Sequence, residues 1–262
     1  MNTNLRVATL PLAIEWADKE ANITAVCKAL EKLPEGTDLV VLPELFSTGY
    51  SDDPDVLQAL AERNTGITID KIKEWSAATG AAFAGSYLAT THPKIYNRGF
   101  FIEPSGEETF YDKRHLFSLS KEPQLFAPGI ERPPVVRFRG WNISLIVCYD
   151  LRFPVWCRCR NSEYDLLLVV ANWPKARAYA WEHLLIARAI ENQCCVVGAN
   201  RGGRDVFGEY DGMSYIFDGR GMAIGVMPTD CPFIVADLDG NRQESYRRNF
   251  PIQNDADDFL IK

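Results

Sequence analysis

The stretch Asp165-Leu166-Leu167-Leu168-Val169-Val170 decides the fold class. It is a continuous apolar run without polar alternation, so it predicts a strand that is covered on both faces. A similar run at 143–147 precedes it, and another at 195–199 follows it. A helical pattern over 176–191 separates the second strand from the third. Buried strands alternating with helices are typical of an α/β protein with helices outside the sheets.

The rest of the chain continues this alternation. Ile23, Val26, Cys27 and Leu30 follow the i, i+3, i+4, i+7 spacing of an amphipathic helix. The chain shows no linker, low-complexity run or short-period repeat, so we interpret residues 1–262 as a single domain. Further strands are predicted over 5–10, 38–43, 82–87, 96–102, 108–111, 213–217, 222–226 and 233–238, and a further helix over 68–80.

Composition and charge narrow the classes of function. The 262 residues are 47% hydrophobic and 24% charged, which is ordinary for a globular protein. A formal net charge of −7 provides no overall basic field for nucleic acid. No apolar run is long enough to span a bilayer, and the first residues do not have the pattern of a signal peptide. With seven cysteines, an odd number, we expect reduced thiols in the cytoplasm.

Neither the cysteines nor the histidines predict a metal site. Cys157 and Cys159 are separated by one residue, and Cys194 and Cys195 are adjacent, so neither pair has the usual spacing of zinc ligands. The three histidines form no short ligand motif. A second thiol centre at Cys157 and Cys159 has only weak support.

Cys148 is the first candidate for chemistry. It follows the apolar strand 143–147, and Pro154 suits the first turn of a helix, so Cys148 is predicted near the amino end of a short helix. Free backbone N–H groups there would favour a thiolate and could hold an oxyanion. Free cysteine is also among the most buried residue types, so packing is an equally good explanation from this context alone.

Two charged residues follow other predicted strands. Glu44 comes after strand 38–43 among apolar residues, an environment that suits a carboxyl group to proton transfer. Lys113 comes after strand 108–111, and a cation beside a thiol would lower the pKa of that thiol and could stabilise an oxyanion. Each residue alone is better explained as a solvated surface charge. Together with Cys148, however, they could converge at one edge of a sheet.

The order of Glu44, Lys113 and Cys148 resembles that of the nitrilase superfamily of carbon–nitrogen hydrolases. The resemblance runs from Arg6 to about Leu238. Within the superfamily the chain is most similar to bacterial omega-amidases. The strings that carry these resemblances are LPELFSTGY at 42–50, YDKRHLF at 111–117, FAPG at 126–129, CYDLRFP at 148–154, VANWP at 170–174, RAIEN at 188–192 and GANR at 198–201.

The superfamily resemblance implies a four-layer α-β-β-α sandwich that works without a cofactor. It also implies a homodimer, and the segment from about residue 240 could pack on the partner subunit. Glu44 would be the general base, Cys148 the nucleophile and Lys113 the stabiliser of the tetrahedral intermediate. Glu122 matches the position of a second glutamate near the pocket, although an exposed loop acid would have the same sequence context.

The omega-amidase resemblance implies a small substrate, the terminal amide of 2-oxoglutaramate or 2-oxosuccinamate. The Tyr149 backbone N–H would share the oxyanion with Lys113, and Trp173 could form an apolar wall or cap the core. Arg201 or Arg177 could clamp the substrate carboxylate, because a guanidinium group suits a carboxylate. A surface position is the better interpretation of Arg177.

Several alternatives to an omega-amidase stay open. The motifs do not clearly distinguish an omega-amidase from other enzymes of the same superfamily, namely deaminated-glutathione amidases, carbamoyl hydrolases and nitrilases. A binding or scaffold protein that lost turnover and a thiol oxidoreductase are the alternatives of other classes.

One charge within a predicted apolar stripe calls for a structural explanation. Arg188 lies on the apolar side of helix 176–191, and a buried guanidinium needs a partner. Glu191, three residues on, is within reach on the helix surface. We therefore predict a structural ion pair between Arg188 and Glu191 rather than a role in substrate binding.

Overall fold

The apolar runs of the sequence form two mixed β-sheets. The computed structural model describes residues 4–260. The first sheet has the order β13-β1-β2-β3-β4-β5 and consists of β1 (Asn4–Thr9), β2 (Leu39–Val41), β3 (Ala82–Thr91), β4 (Lys94–Ile102), β5 (Glu108–Asp112) and β13 (Ile234–Asp239). The second has the order β12-β9-β8-β7-β6 and consists of β6 (Val135–Phe138), β7 (Trp141–Val147), β8 (Leu166–Ala171), β9 (Cys195–Asn200) and β12 (Tyr215–Phe217).

Helices cover the outer faces of the two sheets. The α-helices are α1 (Lys19–Leu30), α2 (Pro54–Leu60), α3 (Ile67–Thr79), α4 (Glu122–Leu125), α5 (Ala178–Asn192) and α6 (Gly240–Asn249). Short 3-10 helices cover Cys148–Arg152, Arg160–Ser162, Lys175–Arg177 and Ile252–Asp255, and β10 (Gly202–Asp205) pairs with β11 (Gly208–Asp211) in a separate hairpin. None of the helices within residues 4–260 is long and apolar enough to cross a membrane.

Three packed interfaces create four layers. Side chains such as Val41 of the first sheet and Val170 of the second share the core between the sheets. Ile72 of α3 packs on the outer face of the first sheet, and Leu185 of α5 packs on the outer face of the second. The predicted α-β-β-α sandwich is therefore confirmed. All six residues of β8 are buried because this strand has parallel neighbours on both edges and packed layers on both faces.

Two sequence-based interpretations of structure have different outcomes. The Arg188 ion pair is confirmed: its Nη1 lies 2.9 Å from Glu191 Oε1, and its Nη2 donates to the Leu151 carbonyl at 2.6 Å. The prediction of a strand over 222–226 is wrong. That segment makes only isolated bridges at Ala223 and Val226, and Gly225, which has no side chain, packs closely against Ile216 and Ile234.

The segment from residue 240 contacts its own chain. Gln243 and Arg247 of α6 both donate to the Gln193 carbonyl, and Arg247 also pairs with Asp165 at 2.7 Å. These contacts attach α6 to the end of α5 and the start of β8. Packing of this segment on a partner subunit stays a prediction.

Candidate active site

Glu44, Lys113 and Cys148 meet in a cavity of about 280 Å³. They follow β2, β5 and β7, strands that belong to the two facing sheets. Lys113 Nζ lies 3.2 Å from Glu44 Oε1, and the Cys148 thiol is hydrogen-bonded to the Glu44 carboxylate. The convergence expected from the strand-end positions is therefore present in the structure.

A second carboxylate completes the ion network. Glu122, at the start of α4, is buried and lies 2.7 Å from Lys113 Nζ. Its other oxygen accepts a hydrogen bond from the Phe117 backbone N–H. Burial opposes the charge of Lys113, but Glu122 and then Glu44 outweigh it and raise the pKa of Lys113 well above its ordinary value. Lys113 is therefore a fixed positive charge beside the thiol.

Hydrogen bonds from both sheets hold the Glu44 carboxylate. Asn97 Nδ2 donates to Oε1 at 2.7 Å, and the Asn172 backbone N–H donates to Oε2 at 2.6 Å. Asn97 is in turn held by the Ser86 hydroxyl, which donates to its side-chain oxygen at 2.9 Å. The carboxylate is thus fixed in position next to the thiol, as a proton acceptor requires.

Cys148 occupies a strained turn between β7 and the 3-10 helix Cys148–Arg152. Its φ of +46° lies in the left-handed region, which a residue other than glycine adopts only at a cost. The helix starts at the nucleophile, so Tyr149 lies in a first turn whose backbone N–H groups have no partner within the helix. The prediction that Cys148 lies near the amino end of a short helix is confirmed, but Pro154 lies after the end of this helix and not in its first turn. The helix ends at Arg152, where the Phe153 N–H closes it on the Asp150 carbonyl.

The local charges do not produce a resting thiolate. Burial is the largest cause that raises the pKa of Cys148 well above its ordinary value, and the negative charge of Glu44 is the second. Lys113 acts in the opposite direction, but its effect is smaller. Lys113 therefore lowers the pKa of the thiol as expected, but burial and Glu44 outweigh it, so the expected resting thiolate does not form. The thiol must lose its proton during attack, and Glu44 is the adjacent base.

Asp150 connects the segments that carry Lys113 and Cys148, and the sequence did not single it out. It is fully buried. Its Oδ2 accepts from the Tyr111 hydroxyl at 2.8 Å and from the Val147 N–H at 3.2 Å. Its Oδ1 accepts from the His115 N–H at 2.9 Å and lies 2.8 Å from His115 Nδ1. A charged residue two positions after a candidate nucleophile was the available signal, and in the fold this aspartate is buried and holds neighbouring segments together.

The remaining wall of the cavity combines aromatic rings with two arginines. Trp173 and Tyr149 line it, and Trp173 also packs in the core on the outer face of the second sheet, so it takes both of the positions left open by the sequence. The Arg152 guanidinium stacks 4.7 Å from the Trp173 ring centre, and that of Arg177 stacks 5.4 Å from the Phe117 ring centre. Within residues 4–260 neither guanidinium forms an ion pair. Other lining residues are Tyr50, Ser120, Asn172, Pro174, Phe207 and Tyr210.

Arg201 is not part of the cavity wall, so it does not clamp a substrate directly. It is fully buried, and its Nη2 donates to the Ile14 carbonyl at 2.7 Å. It also pairs with Asp205 and stacks 4.3 Å from the ring centre of Tyr210. Because Asp205 belongs to β10 and Tyr210 to β11, Arg201 holds the β10–β11 hairpin in place. Its polar atoms are occupied by protein partners and are not available to a substrate. Arg177 is exposed, as the sequence suggested, but its exposed side chain lines the cavity.

The other cysteines form no second reactive centre. All seven cysteines are free. Burial is the main cause that raises the pKa of Cys157 to about 12 and that of Cys159 to about 11, so both thiols stay neutral. Their sulfurs donate to the carbonyls of Asp150 and Tyr164. In the described part of the chain, no group of three or more His, Cys, Asp or Glu side chains could hold a metal ion.

The fold and the site together define a class of hydrolase. Residues 6–248 match the family model described as carbon-nitrogen hydrolase, and the chain belongs to this family. It is therefore an enzyme that hydrolyses carbon–nitrogen bonds.

Among its relatives, an omega-amidase of Yersinia enterocolitica is 41% identical over 99% of each chain. A 2-oxoglutaramate amidase of Bacillus subtilis is 31% identical over 95% of this chain and 96% of its own. The chain is also similar to a solved carbon–nitrogen hydrolase superfamily protein of Xanthomonas campestris, which carries an arsenic adduct in its active site. That protein has 37% identity, a TM-score of 0.93 and 99% coverage of both chains.

Proposed function

We propose that this enzyme releases ammonia from the terminal amide of 2-oxoglutaramate or 2-oxosuccinamate. The observation that carries the proposal is one cavity lined by a thiol, a base and a lysine and also by two guanidinium groups, those of Arg152 and Arg177, that form no ion pair within residues 4–260. Such a cavity suits a short molecule that has an amide at one end and a carboxylate at the other. The names of the Yersinia and Bacillus relatives support the same substrate class.

The first half of the reaction forms a thioester on Cys148. The sulfur attacks the amide carbon while Glu44 takes the thiol proton, since the neutral thiol is the resting form. Lys113 and the Tyr149 backbone N–H hold the oxyanion of the tetrahedral intermediate. Glu44 then passes its proton to the nitrogen, the carbon–nitrogen bond breaks, and ammonia leaves.

The second half hydrolyses the thioester. Glu44 takes a proton from a water molecule, whose oxygen attacks the thioester carbon. When the carbon–sulfur bond breaks, the proton on Glu44 returns to the Cys148 sulfur and the dicarboxylic acid is released. One amide and one water therefore yield one acid and one ammonia, and the enzyme regains its starting state.

A panel of amides tests the substrate class. We expect ammonia release with a higher kcat/KM on 2-oxoglutaramate and 2-oxosuccinamate than on glutamine, deaminated glutathione, simple nitriles and carbamoyl amino acids. The physical reason is that the cavity wall offers guanidinium groups to a carboxylate close to the scissile amide. Rates on the oxo-acid amides that only equal those on the other compounds would exclude an omega-amidase and favour another specificity of the family.

Arg152 and Arg177 are the candidates for the carboxylate clamp. Replacing either with glutamine should raise KM for 2-oxoglutaramate by about 10- to 100-fold, the range for loss of a charge-assisted hydrogen bond. The KM for a neutral amide such as pentanamide should change little. Arg248, exposed on α6 and outside the cavity, provides the matched control Arg248→Gln. Equal losses on the charged and neutral amides would contradict the clamp.

Two further expectations stay predictions. The first is that the enzyme forms a homodimer, and the second is that it is located in the cytoplasm.

A further inference from the structure

Asn172 lines the cavity, and its side-chain amide has no hydrogen-bond partner in the described part of the chain. Asn172 directly follows β8, and both its Nδ2 and its Oδ1 are buried. Neither atom forms a hydrogen bond with any residue between 4 and 260. Burying a donor and an acceptor without partners is costly, and native chains rarely leave both atoms of one amide in this state.

A neighbouring asparagine shows that the fold can satisfy such a group. Asn200 ends β9, the strand beside β8, and lies opposite Ala171. Its Oδ1 accepts from the Trp173 N–H at 2.8 Å, and its Nδ2 donates to the Trp173 carbonyl at 3.0 Å. Asn200 therefore has a structural role, whereas Asn172 lines the cavity and its side-chain amide has no hydrogen-bond partner among residues 4–260.

The position of Asn172 relates its side chain to the leaving group. The backbone N–H of Asn172 is the group that holds Glu44 Oε2 at 2.6 Å. Glu44 must protonate the leaving nitrogen, so that nitrogen has to come close to Glu44 and therefore to Asn172. A carboxamide nitrogen carries two N–H donors, and the side-chain oxygen of Asn172 can accept one of them.

We propose that Asn172 binds the substrate and selects primary amides. Its side-chain oxygen accepts an N–H of the scissile carboxamide, a contact that the matching ester cannot make. This deepens the proposed function and rests on amide hydrolysis at Cys148, but it does not depend on the oxo-acid. An ester of the same acid forms the same acyl-enzyme but has no N–H to donate to Asn172.

The amide and ester of one acid separate this role from others. The variant Asn172→Leu has a similar size and no side-chain polar atoms, and it keeps the backbone N–H that holds Glu44. We expect it to lower kcat/KM for 2-oxoglutaramate about tenfold, the loss expected for one hydrogen bond to the scissile amide. For the 5-methyl ester of 2-oxoglutarate, measured by methanol release, kcat/KM should stay within about twofold of wild type. The melting temperature should not fall, because no protein contact is lost.

Two results would overturn the assignment. Equal losses on amide and ester would show that Asn172 acts through Glu44 or on the acyl chain alone. A lower melting temperature with parallel losses would show a structural role. If wild type prefers none of the oxo-acid amides, the ratio of kcat/KM for the amide to kcat/KM for the ester is measured with propionamide and methyl propionate. Failure of the proposed function therefore appears as a lack of preference for oxo-acid amides in the wild-type enzyme. Failure of the Asn172 assignment appears only as an unchanged amide-to-ester ratio of kcat/KM in Asn172→Leu.

Discussion

Replacing Cys148 with alanine lowers ammonia release from 2-oxoglutaramate by more than about 10⁴-fold, the scale on which enzymes lose turnover without their nucleophile. The physical reason is that no other group in the cavity can form the thioester, since Glu44 and Lys113 are held in an ion pair. Cys148→Ser should also be nearly inactive, because a hydroxyl is harder to deprotonate than a thiol. A coupled ammonia assay measures both variants.

An exposed thiol provides the control for this experiment. Cys27 lies on α1, outside the cavity, so Cys27→Ala should retain wild-type turnover. Intact-mass measurement of wild type during turnover should detect an acyl adduct that Cys148→Ala lacks. A folded Cys148→Ala protein with wild-type turnover would refute the nucleophile assignment. An intact enzyme without any adduct or ammonia from any amide would instead favour a binding or scaffold protein.

Glu44→Gln is expected to slow acylation by about 10²- to 10⁴-fold, the usual contribution of a positioned general base. Glutamine has nearly the same size, so the cavity keeps its shape. It cannot accept the thiol proton, however, and its NH₂ group must face one of the donors that now bind the carboxylate. Stopped-flow measurement of the first turnover reports acylation directly, and an unchanged burst would remove the general-base role.

The same variant should shift the titration of the thiol in a defined direction. The negative charge of Glu44 raises the pKa of Cys148, whereas Lys113 lowers it. Removing the Glu44 charge therefore lowers the pKa, so the thiolate forms at a lower pH in Glu44→Gln than in wild type. Thiolate absorbance, corrected with the matching Cys148→Ala protein, measures this shift. A more ionised thiol with slower acylation would show that Glu44 moves protons and does not merely activate the sulfur.

The substrate-facing arginines show where local sequence context is insufficient. Arg201 and Arg177 are both arginines after apolar or aromatic segments, and the strand-end position made Arg201 the better candidate. In the structure, Arg201 reaches Ile14, 187 residues away, and is fully buried there. Arg152, whose local sequence context gives no indication of a clamp, stacks on Trp173 at the cavity. The orientation of each guanidinium depends on partners that only the folded chain supplies.

By itself, the sequence determined the α/β class, beginning with the apolar run at 166–170, and it indicated the three groups at the cavity through their positions after strands and the motifs around them. These properties are local, because buried strands need continuous apolar runs and the residue after each strand lies at its end. The tertiary structure decided which charges are buried and paired. Asp150 became an anchor, the Cys148 thiol stayed neutral, and the side-chain amide of Asn172 found no hydrogen-bond partner among residues 4–260. These outcomes depend on desolvation and on contacts between distant segments, which no local pattern of residues encodes.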